Sequence, residues 1–197
     1  FVYVMNTNTK PDTTQQTLIE RLFHVGAHFG FTKSRRHPTV RPYLYGTVDG
    51  TDIIDLEKTA AQIAAASEAL ASLGKAGKTL MLVGTKEEVT RLVTSHAEAA
   101  NVPYVTNRWI GGMLTNFSEM KKRIARLQQL KEESESGELE RKYTKRERVV
   151  IGREIAKLTF NFGGMQTLER TPDMLLIVDP RHDSIALAEA HDRGIPV

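Results

Sequence analysis

Between Asn116 and Phe162 the apolar residues keep a spacing suited to paired helices. Phe117, Met120, Ile124 and Leu127 lie three, four and three apart, and Ile151, Ile155, Leu158 and Phe162 lie four, three and four apart. Each set makes a stripe along one helix, and such a stripe needs a partner to cover it. Ser134-Glu135-Ser136-Gly137 interrupts the two stripes, and Thr144 and Glu147 have the spacing of a capping box that restarts a helix. The pattern predicts an antiparallel helical hairpin from about Asn116 to Phe162. Glycine pairs stand at both ends, Gly111-Gly112 before and Gly163-Gly164 after, which marks the hairpin as an arm inserted into another body.

The body has a different rhythm. After a first dozen residues that open on Phe1-Val2-Tyr3-Val4-Met5 and turn polar from Asn6, Thr13 to Val25 reads as a helix with Leu18, Leu22 and Val25 on one face. Tyr43 to Gly46 and Asp52 to Leu56 read as short strands around a turn carrying Asp49-Gly50. An Ala-rich helix from Glu57 to Leu73 follows, then a strand from Thr79 to Val83, a helix from Lys86 to Ala100 and a strand from Pro103 to Thr106. Beyond the hairpin, Met174 to Val178 is an uninterrupted apolar run of the kind found in a strand buried on both faces. The helix Ser184 to Asp192, its stop at Gly194 and a strand beginning at Ile195-Pro196-Val197 complete the series. Strands alternating with helices predict an α/β fold, a three-layer parallel sheet with helices on both sides. The domain division is therefore a discontinuous body, 1–115 and 163–197, and a hairpin insertion, 116–162.

Composition narrows the function less than charge placement does. With 197 residues, 40% of them hydrophobic, the chain can bury a core; without cysteine it has neither disulfides nor thiolate metal sites. No run approaches the roughly 20 apolar residues of a membrane span, no signal peptide is recognisable, and the default compartment is the cytoplasm. The first residue is not Met and the last three begin a strand, so the chain reads as a fragment. A net charge of +3 decides nothing between a nucleic-acid binder and an enzyme. Its distribution is more telling. From His28 to Tyr45 there is no acid, while Lys33, Arg35, Arg36, His37 and Arg41 all fall there, in a stretch whose Pro38 and Pro42 frame an extended loop. Lys121, Lys122, Arg123 and Arg126 form a second cluster. Arg141, Lys142, Lys145, Arg146 and Arg148 form a third, which reads as a solvated helix face.

Motifs for catalysis are tested and fail. Gly77-Lys78-Thr79 resembles the tail of a phosphate loop, but Ser72 stands where that motif needs Gly, and the segment precedes a strand instead of following one. No G-x-G-x-x-G occurs. Gly84-Thr85-Lys86 does follow a strand and open a helix, so it is either an anion site or a plain turn. His24 and His28 are four apart, but Val25 occupies the place of a zincin glutamate, so packed or RNA-facing histidines fit better than metal ligands. Asp179, His182 and Asp183 lie at a strand end without a nucleophile and read as structural, with Asp183 or Ser184 placed as an N-cap. Arg108-Trp109 before Gly111-Gly112 is either a tight turn with a buried Trp or the joint of the arm, where a planar Arg suits phosphate.

Taken together, these motifs resemble the bacterial and organellar small-subunit ribosomal protein S-two family. The likeness rests on Leu22 to Gly30, Ile53-Ile54-Asp55-Leu56-Glu57-Lys58-Thr59, Val83-Gly84-Thr85-Lys86, Asn107 to Asn116, and Pro172-Asp173-Met174 through Val197, in that order, and covers nearly everything from about residue 18. Members usually run on past Ile195-Pro196-Val197; Arg170-Thr171 and His24 depart from the usual pattern. The resemblance implies a Rossmann-like or flavodoxin-like body with an inserted coiled-coil hairpin. It implies no enzymatic activity, no cofactor, no metal, no membrane and no small-molecule substrate. It also implies binding of small-subunit rRNA between head and body, a role in assembly and translation initiation, and neighbours that include the large RNA-binding protein S-one, on a cytoplasmic or organellar ribosome.

On that reading the RNA-facing residues are Lys33, Arg35, Arg36, His37 and Arg41 along the loop, and Lys86 at the strand-to-helix turn. Asn107, Arg108 and Trp109 stand at the base of the arm, with Lys121, Lys122, Arg123 and Arg126 on its first turns. Binding would rest on phosphate neutralisation and shape, because the cations are dispersed over loops and a helix.

Overall fold

The computed structural model describes residues 18–197. The first dozen residues and the first turns of the helix expected from Thr13 lie outside the described residues. By compactness the chain divides into two units, Phe1–Ser72 and Leu73–Val197.

The first unit contains α1 (Leu18–His24), β1 (Phe29–Thr32), β2 (Leu44–Val48), β3 (Thr51–Ile54) and most of α2 (Leu56–Lys75). Its strands form an antiparallel sheet in the order β1-β3-β2. Asp49 and Gly50 both have positive φ, 48° and 77°, the geometry whose twist matches a two-residue hairpin between β2 and β3. The stretch from Lys33 to Arg41 is not the extended loop its prolines suggested. It folds into short 3-10 turns, Lys33–Arg35 and Pro38–Tyr43, because the fixed φ of Pro38 suits a first helical position and the Nδ1 of His37 accepts from the Thr39 N–H at 3.4 Å. Asp52 is the one buried residue among those described in this unit. Its carboxylate accepts from the Thr47 hydroxyl at 2.7 Å and pairs with Arg36 at 3.3 Å, so a charged centre stands where a core side chain would otherwise be.

The second unit holds the parallel sheet: β4 (Leu80–Val83), β5 (Tyr104–Val105) and β6 (Met174–Ile177), ordered β5-β4-β6. Alternation along β4 assigns its side chains to opposite faces. Leu82 packs with Val93 and Ala97 of α3 (Glu87–Ala100). Met81 and Val83 pack instead with Trp109, Leu114 and, from α7 (Ser184–Asp192), Ala186 and Ala190. Helices thus cover the sheet on both sides, as expected for parallel strands. Coverage is incomplete on β6. Leu175 is buried but Leu176, on the opposite face, is 39% exposed, so the apolar run does not mark a strand buried on both sides. No strand is assigned at Ile195–Val197, although the Leu175 N–H donates to the Pro196 carbonyl at 2.9 Å, the first rung of such a pairing.

Between β5 and β6 lie α4 (Phe117–Glu135), α5 (Glu138–Lys142) and α6 (Lys145–Phe162). The first half of α4 (Met120, Ile124, Leu127) and the last residue of α6 (Phe162) join the main core under the sheet. Farther out, Leu130, Leu139 and Ile151 close a separate cluster. These pairings run α4 and α6 in opposite directions, and Arg126 meets Glu154 across them at 3.5 Å. Gly137, with φ 72°, separates α4 from α5, an extra short helix that was not anticipated. The capping box forms at the start of α6, Thr144 and Glu147 satisfying each other's backbone donors.

Candidate nucleic-acid interface

Whether a basic residue can meet a phosphate depends on whether its charge is already spent. In the first unit Arg36 is committed: its guanidinium is half-buried against Asp52. His37 is exposed, with Nδ1 2.7 Å from the Thr39 hydroxyl. Lys33, Arg35 and Arg41 are exposed and make no ion pair with a described residue. The unbroken basic stretch of the sequence therefore separates into one structural arginine and three free cations.

The turn after β4 is built, but not for an external anion. A Cβ on Gly84 would lie 2.9 Å from a methyl of Val93, so the glycine lets α3 close against the strand end. The N–H and hydroxyl of Thr85 both donate to the Asp183 carboxylate, at 3.1 and 2.6 Å. Asp183 sits at the N-cap position of α7 but makes no side-chain cap there. Lys86 pairs with Asp179 at 3.4 Å. Burial is the largest influence on Asp179 and opposes its charge. The His182 N–H, the Lys86 ammonium and the Arg181 N–H together outweigh it and hold the carboxyl below the usual aspartate range. Donors at a helix start, where a phosphate is ordinarily received, are thus occupied by carboxylates of the chain itself.

The loop between β5 and α4 is organised by one residue that sequence reasoning missed. Glu189 shares the buried face of α7 with Ala186 and Ala190. Its carboxylate accepts from the Gly112, Leu114 and Thr115 N–H groups at 2.7, 2.9 and 3.2 Å, from the Thr115 hydroxyl at 3.2 Å, and from the Trp109 indole N–H at 3.2 Å. Burial works against the charge most strongly. The Leu114, Gly112 and Thr115 N–H groups and the indole nonetheless hold the carboxyl below its ordinary value. Trp109 is 6% exposed and lies in the core. Asn107 is exposed, and its Nδ2 donates to the Phe160 carbonyl at 2.7 Å, fastening the loop to the end of α6.

Beside this fastened loop Arg108 is exposed without an ion pair among the described residues. On α4, Arg123 is likewise exposed and unpaired, Lys122 meets Glu119 at 2.6 Å, Lys121 donates to the Glu169 carbonyl at 3.2 Å, and Arg126 is engaged with Glu154. His28, one of the two histidines weighed as metal ligands, stacks on Phe23 at 4.5 Å and leans on Phe29 at 4.1 Å; no cluster suited to a metal occurs among the described residues. Among those residues, too, no helix is long and apolar enough to cross a membrane.

Residues 22–197 match the family model described as Ribosomal protein S2. The chain is similar to the small ribosomal subunit protein uS2 of Roseiflexus sp. (strain RS-1), with 41% identity over 176 residues, 89% of this chain and 67% of the relative. It is also similar to the uS2 proteins of Wolinella succinogenes, 39% identical over 89% of this chain and 65% of the relative, and of Fusobacterium nucleatum, 36% identical over 91% and 72%. The chain spans about two thirds of the length of these relatives. By motif order, fold and these matches the chain belongs to the ribosomal protein S2 family, a family of structural ribosomal proteins and not of enzymes.

Proposed function

We propose that this chain is a structural constituent of the small ribosomal subunit that binds small-subunit rRNA through its unspent cations. Family membership supports the ribosomal assignment, and the relatives' printed names supply the small subunit. The observation that carries the RNA reading is the contrast within the basic stretch: Arg36 is consumed by Asp52 while Lys33, Arg35 and Arg41 face solvent. Arg108 and Arg123 supply the corresponding free charge in the second unit. Lys121, Lys122 and Arg126 add positive potential beside Arg123. Lys86, Arg36, His37, Asn107 and Trp109 shape the surface more than they neutralise phosphate.

In this reading residues 1–115 and 163–197 form a Rossmann-like or flavodoxin-like body whose parallel sheet belongs to the second unit, and residues 116–162 form a coiled-coil arm inserted into it. The heptad spacing and the antiparallel course of α4 and α6 support the arm. The protein lies between head and body of the subunit, on a cytoplasmic or organellar ribosome. It contributes to assembly, to translation initiation and to seating the large RNA-binding protein S-one, with neighbouring small-subunit proteins as further partners and no cofactor.

The test is incorporation. Small subunits reconstituted with the Arg35→Glu, Arg41→Glu double variant should contain markedly less of this protein than wild-type reconstitutions, measured by co-sedimentation at equal input. Incorporation equal to wild type would remove the loop from the interface.

A further inference from the structure

The carboxyl ends of β4, β5 and β6 surround an open depression of about 440 Å³, and the role assigned above to Arg108 in its wall does not use the cavity itself. Its position is telling. From β4 the chain crosses to β5 through α3 on one face, and from β5 it returns to β6 through α4, α5 and α6 on the other, so the depression lies where the connections part to opposite sides of the sheet. Open α/β sheets bind ligands at that place.

What the depression can hold follows from its walls. Phe160 and Ile185 are 57% and 58% exposed, large apolar side chains left in solvent around one cavity. Asn107 is fixed by its Nδ2 bond to the Phe160 carbonyl, which leaves Oδ1 to accept. Arg108 brings a cation without an ion pair, and Trp109 lies in the wall. A free nucleotide with a chain of phosphates does not fit this charge pattern. The helix-start donors at Thr85 are taken by Asp183, and the nearby Lys86 is paired with Asp179 outside the lining, so its phosphates would meet the Asp183 carboxylate and a single unpaired cation, Arg108. One apolar aromatic face, one accepting amide oxygen and one cation match one base and one phosphodiester, the repeat of a single strand.

We propose that this depression receives one unstacked nucleotide of an RNA strand, its base against Phe160 and Ile185 and its phosphate at Arg108. This rests on the reading that the chain binds RNA, and adds to phosphate neutralisation a site that requires a base. Asn107 then acts as a positioning residue that also offers an acceptor to the base edge.

Because the chain has a single Trp, its emission reports directly on this wall. The 197-residue chain is titrated with an adenosine ribohexamer and with an abasic ribohexamer of equal charge, following Trp109 emission, for wild type, Phe160→Leu and Arg108→Gln. The exposed position of Phe160 makes its leucine variant a change of chemistry with little change of fold, checked by the melting temperature. Saturable quenching by the adenosine strand is expected, with affinity lowered about tenfold in Phe160→Leu and a tenfold or greater preference over the abasic strand. Arg108→Gln should weaken both strands alike. Equal affinity for the two strands, or none lost in Phe160→Leu, overturns the base site. If in that case structured rRNA still binds at low salt, the broader RNA reading stands and only the base site fails; if neither RNA binds, both fail.

Discussion

The indole N–H of Trp109 donates to the carboxylate of Glu189 at 3.2 Å, joining residues 80 positions apart in the sequence. Through that carboxylate the loop between β5 and α4 is tied to α7, since Gly112, Leu114 and Thr115 donate to the same two oxygens. The loop leading into α4, and with it Arg108, is set by a buried charge whose acceptor capacity is satisfied on several sides.

Replacing Glu189 by Gln should therefore cost roughly 3 kcal/mol, because an amide NH2 would confront backbone N–H groups in a buried site. The sign of the pH dependence follows from the lowered folded-state pKa. Stabilisation by a group of that kind is complete above its unfolded-state value and is lost as pH falls through the folded-state value. Urea midpoints should thus differ most between wild type and Glu189→Gln near neutrality and converge under acid. A constant gap across the acid range would show that ionisation of Glu189 contributes nothing.

Within one basic stretch, neighbouring arginines should behave oppositely. Arg36→Ala leaves Asp52 buried without its cation and should destabilise the first unit by about 2–3 kcal/mol. Arg35→Ala and Arg41→Ala, exposed and unpaired, should change stability by no more than about 0.5 kcal/mol. Thermal unfolding of the three variants distinguishes them.

The glycine pair after α6 is equally unequal. A Cβ on Gly164 would lie 2.4 Å from the Tyr104 carbonyl oxygen and 2.6 Å from its ring, whereas one on Gly163 meets only a methyl of Thr159 at 3.7 Å. Gly164→Ala should cost about 1–3 kcal/mol by forcing the segment away from β5. Gly163→Ala, in a right-handed helical conformation, should be neutral or slightly stabilising. Matched denaturation midpoints for the two variants would contradict the packing described here.

Local signals made much of the framework legible. The apolar periods of α4 and α6, the turn at Asp49-Gly50 and the capping box at Thr144 are each encoded within a short local stretch. Most of the second unit's strands and helices followed from their apolar runs, but α5 was not among them and the strand expected at Ile195–Val197 is not assigned. What stayed hidden depends on distant partners. β1 is short, with a glycine among its four residues, and becomes a strand only by pairing with β3. Leu176 reads as core until the sheet face beside it proves uncovered. Glu189 looks like one more charge on a solvated helix, and nothing near it announces five donor groups from residues 109–115. Arg35, Arg36 and Arg41 are the same letter; only the position of Asp52 separates structural from free charge.

The most direct test of the central claim is the salt dependence of rRNA binding. Each phosphate neutralised by a side chain steepens the fall of log affinity with log salt by about 0.7–0.9. For small-subunit rRNA bound by the full chain, the double variant Arg35→Glu, Arg41→Glu should bind more weakly and show a slope shallower by about 1.5, with Arg36→Lys retaining the wild-type slope. An unchanged slope in the double variant would contradict the claim that these two free cations meet the RNA backbone.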